Sequence, residues 1–560
     1  MLSAGSIFIK THTCVFQGSW NKNKEGVFAL YFDVIVKNGT VYDGSGAESF
    51  NSDIGIKNGE IETIGDLSAS EAVKIIDARG LNVVPGFIDT HSHSGLEALV
   101  KPETSHNIMQ GITTCTVGQD AMGAAPVIDE YIEPWKKTMA GLEGDFKPDW
   151  KWRSVKEYFD KLDEKDLGPN FAYLAPHGNI RLCAMGLDNR KPTTAELDKM
   201  KDLLQKSLDE GAFGMSTGMI YPPCSFARTE EFIELGKVLK DNDAVFVTHQ
   251  RSEADTIIDS MDEIISIGEQ SGCRIHFSHF KVAGKKNWKY FDGVLEKLDL
   301  CSKKGIRVSV DQYPYVAGST TLSVILPPWV HDGGTEKVLE RLNDADARKK
   351  MTHDIINGIH GWDNFVDFAG LDGIFITFVK SDKNQNVVGK SLVQLGEMRG
   401  KDPLEATYDL LLEEENTAGL VDFYGLEEHV TTILKRPEQN VCTDGILGGK
   451  PHPRVYGTYP RVLGKYVRDE KVLDMQTAIY KMTGKPAEVL GISDRGFLKE
   501  GYAADLVLFD PEKVIDTADY ADPIQFPNGI DYVIVNGRIL VDQGKHTPGK
   551  AGKVIKFAGR

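Results

Sequence analysis

The stretch Val83-Val84-Pro85-Gly86-Phe87-Ile88-Asp89-Thr90-His91-Ser92-His93 joins an apolar run to two histidines that are one residue apart. Residues two positions apart on a strand project to the same face, so His91 and His93 can bind one metal ion together. Such a pair needs other strand ends nearby to complete the ligand set. A (β/α)8 barrel provides them, because its eight parallel strands present their C-terminal ends to one face. The stretch therefore predicts an α/β fold containing a TIM-like barrel.

Apolar runs alternate with helical patterns beyond this stretch, which is typical of βα units around a parallel sheet. Eight strands are predicted, and the first ends at His91 and His93. The other seven are 113–120, 171–177, 212–216, 244–249, 274–279, 307–313 and 440–444. Helical patterns cover 194–210, with Thr194 as the expected N-cap, and 254–270.

Residues of metal-binding type stand at the ends of four later strands: Asp120, His249, His279 and Asp444. Only 14 of the 560 residues are histidine, so chance placement of two at adjacent strand ends after a His-x-His pair is improbable. Histidine nitrogens and carboxylate oxygens bind borderline and hard divalent metals. The sequence therefore predicts a centre for one or two divalent metal ions.

Other histidines and cysteines are assigned less active roles. His177 and His276 are interpreted as structural, the latter because it lies an odd number of residues from His279 and points to the opposite face. Cys115 lies inside a predicted strand and is not expected to be a ligand. Cys224 is interpreted as a small buried residue, with a place in the pocket wall as the alternative.

Composition limits the class of protein. The chain has 64 basic and 82 acidic residues, a net charge of −18 without a basic stripe, which argues against nucleic acid and anionic membranes as partners. Seven cysteines without framework spacing predict reduced thiols and a cytoplasmic location. The sequence shows neither a transmembrane run nor a secretory signal pattern. We expect an enzyme with a small-molecule substrate, and the oligomeric state stays open.

The domain organisation follows from where short strands cluster. Strand patterns with Asn-Gly pairs occur at 33–65, and a related pattern returns at 504–541. We expect an N-terminal extension of unknown role at 1–31, a small β-sandwich domain built from 32–83 and 496–560, and the barrel at 84–495. An insertion at about 320–439, between strands seven and eight, is expected to cover the site as a lid.

Four segments, 211–223, 278–282, 311–320 and 452–461, carry a closer resemblance. With them the chain, from about residue 33 to its end, resembles the N-acyl-D-amino-acid deacylases, or D-aminoacylases, of the amidohydrolase superfamily. In that superfamily, barrel strands one, five, six and eight supply His-x-His, His, His and Asp to a centre of one or two metal ions. The resemblance implies a zinc-dependent hydrolase that releases free D-amino acids.

The resemblance also assigns roles. His91 and His93 match the first metal pair, whereas His249 and His279 match the histidines of the tighter zinc site. Asp444 matches the catalytic carboxylate, which is also a metal ligand.

Substrate binding and one departure from the family follow from the same match. The residues that match those holding the substrate's free carboxylate are Lys281, Tyr313, Ser319 and Arg454. Where the family has a metal-bridging cysteine, this chain has Asp120. A carboxylate can also bridge two metals, but it is a harder ligand than a thiolate.

The same residues define a mechanism on chemical grounds. Metal-activated water would attack the amide carbonyl, and Asp444 would act as general base and then as general acid. Lys281, Arg454, Tyr313 and Ser319 offer cationic and hydroxyl donors to a carboxylate beside the amide.

Two alternatives to a deacylase are weighed. The first is a cyclic-amide hydrolase of the hydantoinase or dihydroorotase kind, or a dipeptidase. Residues 214–217, in strand four, offer no lysine for the carbamate bridge of many such enzymes. The second is a catalytically silent barrel that serves as a scaffold. Such relatives typically lose metal ligands, whereas this chain keeps the full set apart from the substitution at Asp120.

Overall fold

The N-terminal strands form one two-stranded sheet and part of a larger sheet. The computed structural model describes residues 21–22, 28–29, 31–144 and 146–559, so most of the predicted extension lies outside the described residues. The strands here are β1 (Asn21–Lys22), β2 (Phe28–Ala29), β3 (Tyr31–Val41), β4 (Phe50–Lys57), β5 (Glu60–Gly65), β6 (Glu71–Asp77) and β7 (Asn82–Pro85). β3 pairs with β4 antiparallel and with β6 and β7 parallel.

The two Asn-Gly pairs of this region behave differently. Asn58 and Gly59 both have positive φ, 52° and 84°, and join β4 to β5 in the tight turn expected of this dipeptide. Asn38 also has positive φ, 65°, but β3 continues through it with a register shift between Val36 and Gly39. The pair at 38–39 is therefore a bulge, because the chain on both sides keeps its partners in β4.

Eight short parallel strands follow, in two sheets. They are β8 (Phe87–Asp89), β9 (Ile112–Val117), β10 (Asn170–Tyr173), β11 (Ala175–Pro176), β12 (Gly214–Gly218), β13 (Val245–His249), β14 (Arg274–Phe277) and β15 (Val308–Gln312). One sheet has the order β10-β9-β8, and the other starts β11-β12-β13-β14-β15. Residues 171–177, predicted as one strand, are split between β10, β11 and the start of a helix.

Helices connect these strands as βα units require. They are α1 (Glu97–Val100), α2 (Ser105–Ile108), α3 (Ile132–Glu143), α4 (Val155–Asp163), α5 (His177–Met185), α6 (Thr194–Asp209), α7 (Thr229–Asp241), α8 (Ile257–Ser271) and α9 (Phe291–Lys304). The N-cap of α6 is Thr193 rather than Thr194, because the Thr193 hydroxyl accepts from the backbone of Glu196 in a capping box.

The segment between β15 and the last parallel strand builds a unit with its own core. It contains β16 (Gly318–Thr321), α10 (Thr335–Leu342), α11 (Ala345–Asn357), α12 (Phe365–Ala369), β17 (Ile374–Val379), α13 (Leu392–Arg399), α14 (Pro403–Glu413), β18 (Ala418–Asp422) and α15 (Glu427–Leu434). β18 lies between β16 and β17 in an antiparallel sheet. Leu322, Ile374 and Leu404 belong to its separate hydrophobic cluster.

The C-terminal part returns first to the parallel strands and then to the N-terminal sheet. It contains β19 (Gln439–Val441), α16 (Arg454–Arg461), a π-helix (Val462–Asp469), α17 (Met475–Met482), α18 (Gly484–Leu490), β20 (Leu506–Phe509), β21 (Ile530–Val535), β22 (Arg538–Asp542) and β23 (Lys545–His546). β19 pairs with β15, and β20 pairs with β7. Strands from both ends of the chain thus share one nine-stranded sheet. Within the described ranges, no helix is both long and apolar enough to span a bilayer.

Candidate metal centre and active site

His91 and His93 follow directly after β8, in a segment tied to the end of β19. The carboxylate of Asp89 accepts hydrogen bonds from the N–H and the hydroxyl of Thr443. The N–H of Asp444 donates to the carbonyl oxygen of His91 at 2.9 Å. The backbone therefore brings the histidine pair and Asp444 together before any side chain is considered.

Four side chains form what we call the first metal group: His91, His93, Asp120 and Asp444. His91 Nε2 lies 3.4 Å from Asp120 Oδ2 and 3.7 Å from Asp444 Oδ1. His93 Nε2 lies 3.7 Å from Asp120 Oδ2 and 3.3 Å from Asp444 Oδ1. All four residues are buried.

Asp120 also belongs to a second metal group with His249 and His279. Its Oδ1 lies 3.9 Å from His249 Nδ1 and 3.6 Å from His279 Nε2. One carboxylate oxygen of Asp120 thus faces each group. A carboxylate in this position would be able to bridge two metal ions.

The chemistry of these atoms fits divalent metal ions. His91 Nε2, His93 Nε2, His249 Nδ1 and Asp120 Oδ1 are buried without a hydrogen-bond partner, although buried polar atoms are normally paired. Two ligands of a tetrahedral metal with bonds of about 2.1 Å lie about 3.4 Å apart. The observed separations of 3.3–3.9 Å match that requirement.

Three residues of the two metal groups lie beyond the strands that were predicted to contain them. β9 ends at Val117, β14 at Phe277 and β19 at Val441. Asp120, His279 and Asp444 follow with positive φ, 51°, 37° and 47°. This conformation is uncommon for residues other than glycine and clusters at functional sites, where the surrounding contacts hold it.

Asp311 on β15 supplies several of the contacts that hold the ligands. Its carboxylate accepts hydrogen bonds from the N–H of His279, from Thr90 Oγ1 at 3.0 Å and from His276 Nε2 at 2.9 Å. Burial raises the pKa of Asp311, but His276 and the other donors lower it by more, so that the pKa is about 2. The carboxylate is therefore ionised and joins β14, β15 and the strand before the histidine pair.

Replacing Asp311 by alanine is expected to lower the free energy of unfolding by about 3–5 kcal/mol, because the buried donors of Thr90, His276 and the His279 backbone lose their acceptor. Urea unfolding of metal-free protein followed by circular dichroism measures this change. Asp311→Asn, which keeps an acceptor oxygen, should lose less. Since the folded pKa is depressed, the contribution is present above about pH 4 and is lost as the pH falls through about 2. Unchanged stability in the alanine variant would contradict this role.

Two buried carboxylates orient metal-group histidines, and sequence reasoning missed both. Glu143, the last residue of α3, lies 2.8 Å from His93 Nδ1. Glu253 lies 3.2 Å from His279 Nδ1. At His93, the carboxylate on the far ring nitrogen fixes the tautomer that presents Nε2 to a metal. At His279, Lys281 Nζ also contacts Nδ1, at 2.8 Å. The loop that contains Glu253 also explains why α8 starts at Ile257 and not at residue 254.

The predicted substrate residues lie around Asp444, and they differ in the contacts that they already make. Lys281 Nζ contacts Glu253 at 2.7 Å and lies 5.9 Å from the centre of the Tyr313 ring. Burial raises the pKa of Glu253, but Lys281 and the neighbouring histidines lower it to about 2, so the pair is ionised. The Tyr313 hydroxyl is 2.6 Å from that of Tyr424. Lys281 and Tyr313 both line the pocket of Asp444.

Arg454 is fully buried and faces Asp444. Its Nη2 lies 3.0 Å from Asp444 Oδ2 and donates to the carbonyl oxygen of Ser319. Its Nε and Nη1 have no hydrogen-bond partner, so this side chain retains donors for a ligand. The Ser319 hydroxyl lines the same pocket and donates to Leu420 O at 2.8 Å.

The insertion contributes a pocket residue that no strand-end pattern indicated. Asp422, the last residue of β18, is buried, and both of its carboxylate oxygens are unpaired. Burial raises its pKa to about 7, against the opposing charges of Lys281 and Arg454. No local signal could have found it, because its position depends on how the insertion packs over the parallel strands.

The remaining sequence candidates lie outside both metal groups. His177 contacts Glu231 at 2.8 Å and the Cys224 thiol at 3.0 Å. His276 is held by Asp311 and Ser309. Cys115 is buried within β9.

Comparison with known proteins identifies the class. A sequence profile of the amidohydrolase family matches residues 74–303 and 434–541, and the gap between them coincides with the insertion. The N-acyl-D-aspartate deacylase of Alcaligenes xylosoxydans xylosoxydans is 33% identical over 533 residues, 93% of this chain and 95% of that protein. The D-aminoacylase of the same organism is 33% identical over 527 residues, 94% and 97% of the two chains.

A solved structure shows the same similarity. It is the N-acyl-D-glutamate deacylase of Bordetella bronchiseptica, complexed with zinc and a phosphonate that mimics the tetrahedral intermediate of its reaction. It has 32% identity and a TM-score of 0.80, and the match covers 94% of this chain and 100% of that one. The chain is therefore a member of the amidohydrolase family of metal-dependent hydrolases. Within that family it belongs to the N-acyl-D-amino-acid deacylases, which confirms the predicted family and α/β fold class.

Proposed function

We propose that this protein hydrolyses the amide bond of N-acyl-D-amino acids and releases a carboxylate and a free D-amino acid. The observation that carries the proposal is the position of Asp444. Its Oδ1 lies 3.3 Å from His93 Nε2 in the first metal group, and its Oδ2 lies 3.0 Å from Arg454 Nη2. One carboxylate therefore joins a metal site to a cation suited to a substrate carboxylate. The names of the most similar proteins support the D series.

Asp444 would transfer the proton of the reaction. Burial raises its pKa, but Arg454 and His91 lower it well below its usual range, so the carboxylate is ionised at neutral pH. A metal ion bound beside it supplies a nucleophilic water and polarises the scissile carbonyl. Asp444 takes the proton that the attacking water loses and returns it to the amide nitrogen as the C–N bond breaks.

Substrate orientation falls to residues that lie beside the metal groups. Arg454 offers Nε and Nη1, and Lys281 and Tyr313 add a charge and a hydroxyl. We propose that these groups, with Ser319, bind the free carboxylate of the amino acid. Fixing the carboxylate at one end and the carbonyl at the other aligns the reacting atoms.

The proposed metal is zinc, with one or two ions per chain. Six ligands of nitrogen and carboxylate type suit zinc, and Asp120 stands where the family carries a bridging cysteine. Because the carboxylate is harder than a thiolate, manganese and cobalt become better competitors for these groups.

The finer architecture is also a proposal. A parallel bridge between Ser92 and Gly445 links the segments after β8 and β19, and only Leu174 separates β10 from β11. Both junctions support closure of the parallel strands into a (β/α)8 barrel at 84–495, with the insertion at 320–439 as a lid. The nine-stranded sheet supports a β-sandwich domain from 32–83 and 496–560.

A cytoplasmic compartment belongs to the same set of proposals. Six cysteines are buried free thiols, which suits reducing conditions, and Cys14 lies outside the described residues.

Paired N-acetyl-D- and N-acetyl-L-amino acids test the function. Enzyme stripped of metal with a chelator should release no amino acid. Added zinc should restore release from the D series, because chelation removes the metal and leaves the fold intact. Amino acid release is followed by a D- or L-specific oxidase. Chelated enzyme mixed with magnesium serves as the control, since these nitrogen ligands bind magnesium poorly.

The outcome separates the proposed function from its alternatives. Release from the L series alone would overturn the stereochemical assignment. No release from either series with metal bound, together with turnover of hydantoins or dipeptides, would identify the cyclic-amide or dipeptidase alternative. Inactivity with every substrate would favour the alternative of a catalytically silent scaffold.

A further inference from the structure

Two spaces adjoin beside the metal groups, and they differ in size and chemistry. The pocket that contains Asp120, His279, Lys281 and Asp444 has a volume of about 30 Å³. A second cavity of about 550 Å³ lies next to it, and the side chains of Tyr221 and Phe365 line both. The larger space falls within the range of about 300–1,000 Å³ typical of small-molecule sites.

The wall of the larger cavity is mostly apolar. Leu187 and Ile220 line it from the side of the parallel strands, and Val324, Leu326 and Trp329 line it from the insertion. Leu187, Ile220, Val324 and Trp329 are only partly buried, so their apolar surface faces the space. Such surface is stabilised when an apolar group covers it.

The charged groups of this wall that are not exposed are already engaged, whereas Arg228 and Asp332 are exposed. Arg251 donates to Glu263 and to two backbone carbonyls. Asp363 accepts from the Ser252 hydroxyl and from the N–H of Glu253. Burial lowers the pKa of His331 to about 4, so it is neutral at pH 7. The cavity therefore offers a charged ligand only the exposed side chains of Arg228 and Asp332.

Tyr221 connects the cavity with the chemistry. Its ring centre lies 5.4 Å from that of His249, and its hydroxyl lies 2.9 Å from Thr320 Oγ1 on β16. The cations Lys281 and Arg454 are absent from the cavity lining. In an N-acyl amino acid, the amine half carries the carboxylate, and the acyl substituent leaves the scissile carbonyl on the other side.

We propose that the cavity of about 550 Å³ binds the acyl chain of the substrate, and that the preferred substrates are N-acyl-D-amino acids with acyl groups of about eight carbons. The proposal rests on the proposed deacylase function. An acetyl methyl cannot use this space, since a water-sized group occupies about 30 Å³. An octanoyl chain fills about half of it and passes between Tyr221 and Phe365.

Turnover of an acyl series tests the proposal, with one D-amino acid held constant and acetyl, butyryl, hexanoyl and octanoyl as acyl groups. Each buried methylene is expected to raise kcat/KM by up to about fourfold, so octanoyl should exceed acetyl by at least about tenfold. Octanoate should also inhibit far more strongly than acetate. Equal or better use of the acetyl substrate would overturn the proposal.

Variants on opposite walls locate the effect. Val324→Trp and Leu187→Trp should each lower the octanoyl-to-acetyl ratio of kcat/KM by about tenfold, because the indole fills the cavity. Val100→Trp, at the exposed last residue of α1, is the matched control and should keep the ratio. Two independent variants guard against one that fails to fold, which circular dichroism would reveal. An unchanged ratio in a folded variant would contradict the assigned cavity.

A third arm distinguishes the two apolar parts of a substrate. N-acetyl derivatives of D-alanine, D-norvaline and D-norleucine lengthen the side chain and not the acyl group. If kcat/KM rises along this series and Val324→Trp removes the rise, the cavity takes the side chain and the proposal is wrong. If zinc-loaded enzyme hydrolyses neither acetyl nor octanoyl substrates, the proposed function itself fails.

Discussion

Replacing Asp444 by asparagine is expected to lower kcat for an N-acyl-D-amino acid by about 10³-fold, because a general acid–base group contributes about 10²–10⁴-fold. The amide is isosteric and can still accept from Arg454, but it cannot take the proton of the attacking water. Steady-state kinetics measures the loss, and metal analysis measures bound zinc. The second metal group does not contain Asp444, so zinc bound there should stay.

Asp346→Asn is the matched control for Asp444→Asn. Asp346 lies on α11 with its side chain 90% exposed and pairs only with Lys349 among the ion pairs of the described residues. Its turnover should equal that of the wild type. Near-normal turnover in Asp444→Asn, with metal and fold unchanged, would refute Asp444 as the proton-transfer group.

Removing His249 is the second change with a large expected effect. His249→Ala leaves Asp120 and His279 as the only ligands of the second metal group, and two ligands do not hold zinc tightly. Turnover should fall by more than the roughly 10–100-fold that loss of an outer partner of a metal ligand costs. Zinc per chain should fall as well, as measured by plasma emission spectrometry.

Comparison with His91→Ala shows how much each metal group contributes to activity. His91 belongs only to the first group, so the second group should still bind zinc in His91→Ala. This variant should therefore keep more activity than His249→Ala. His360→Ala, at a side chain that is 87% exposed, controls for loss of a histidine in general. Full activity and full zinc content in His249→Ala would contradict a catalytic second group.

The structure brings together the six residues that the sequence singled out as candidate metal ligands, but the local structure around three of them differs from the prediction. Periodicity indicated that a strand precedes Asp120, His279 and Asp444, but each strand stops earlier. The left-handed backbone at these residues is held by contacts such as that from Asp311 to the His279 N–H. A pattern of apolar residues contains no information about such a contact, because its two ends lie 32 residues apart.

The same reason explains the mistaken local details. Asn38-Gly39 has turn chemistry, yet neighbouring pairing with β4 keeps the strand going through it as a bulge. There, tertiary contacts outweigh a local preference. The cap of α6 is an exception: the sequence itself contained the deciding signal, because Glu196 stands three residues after Thr193 and completes a capping box with it.

By itself the sequence determined the class of protein: alternating βα patterns, a His-x-His pair after the first strand, and histidines or carboxylates after later ones. These are local signals, and they depend only on residue type and spacing. The tertiary structure decided how the site is completed. Glu143, Glu253 and Asp422 reach it from a distant helix, a loop and the insertion, and the apolar cavity forms where the insertion meets the parallel strands. These features depend on long-range packing, which brings together side chains whose separation in sequence carries no pattern.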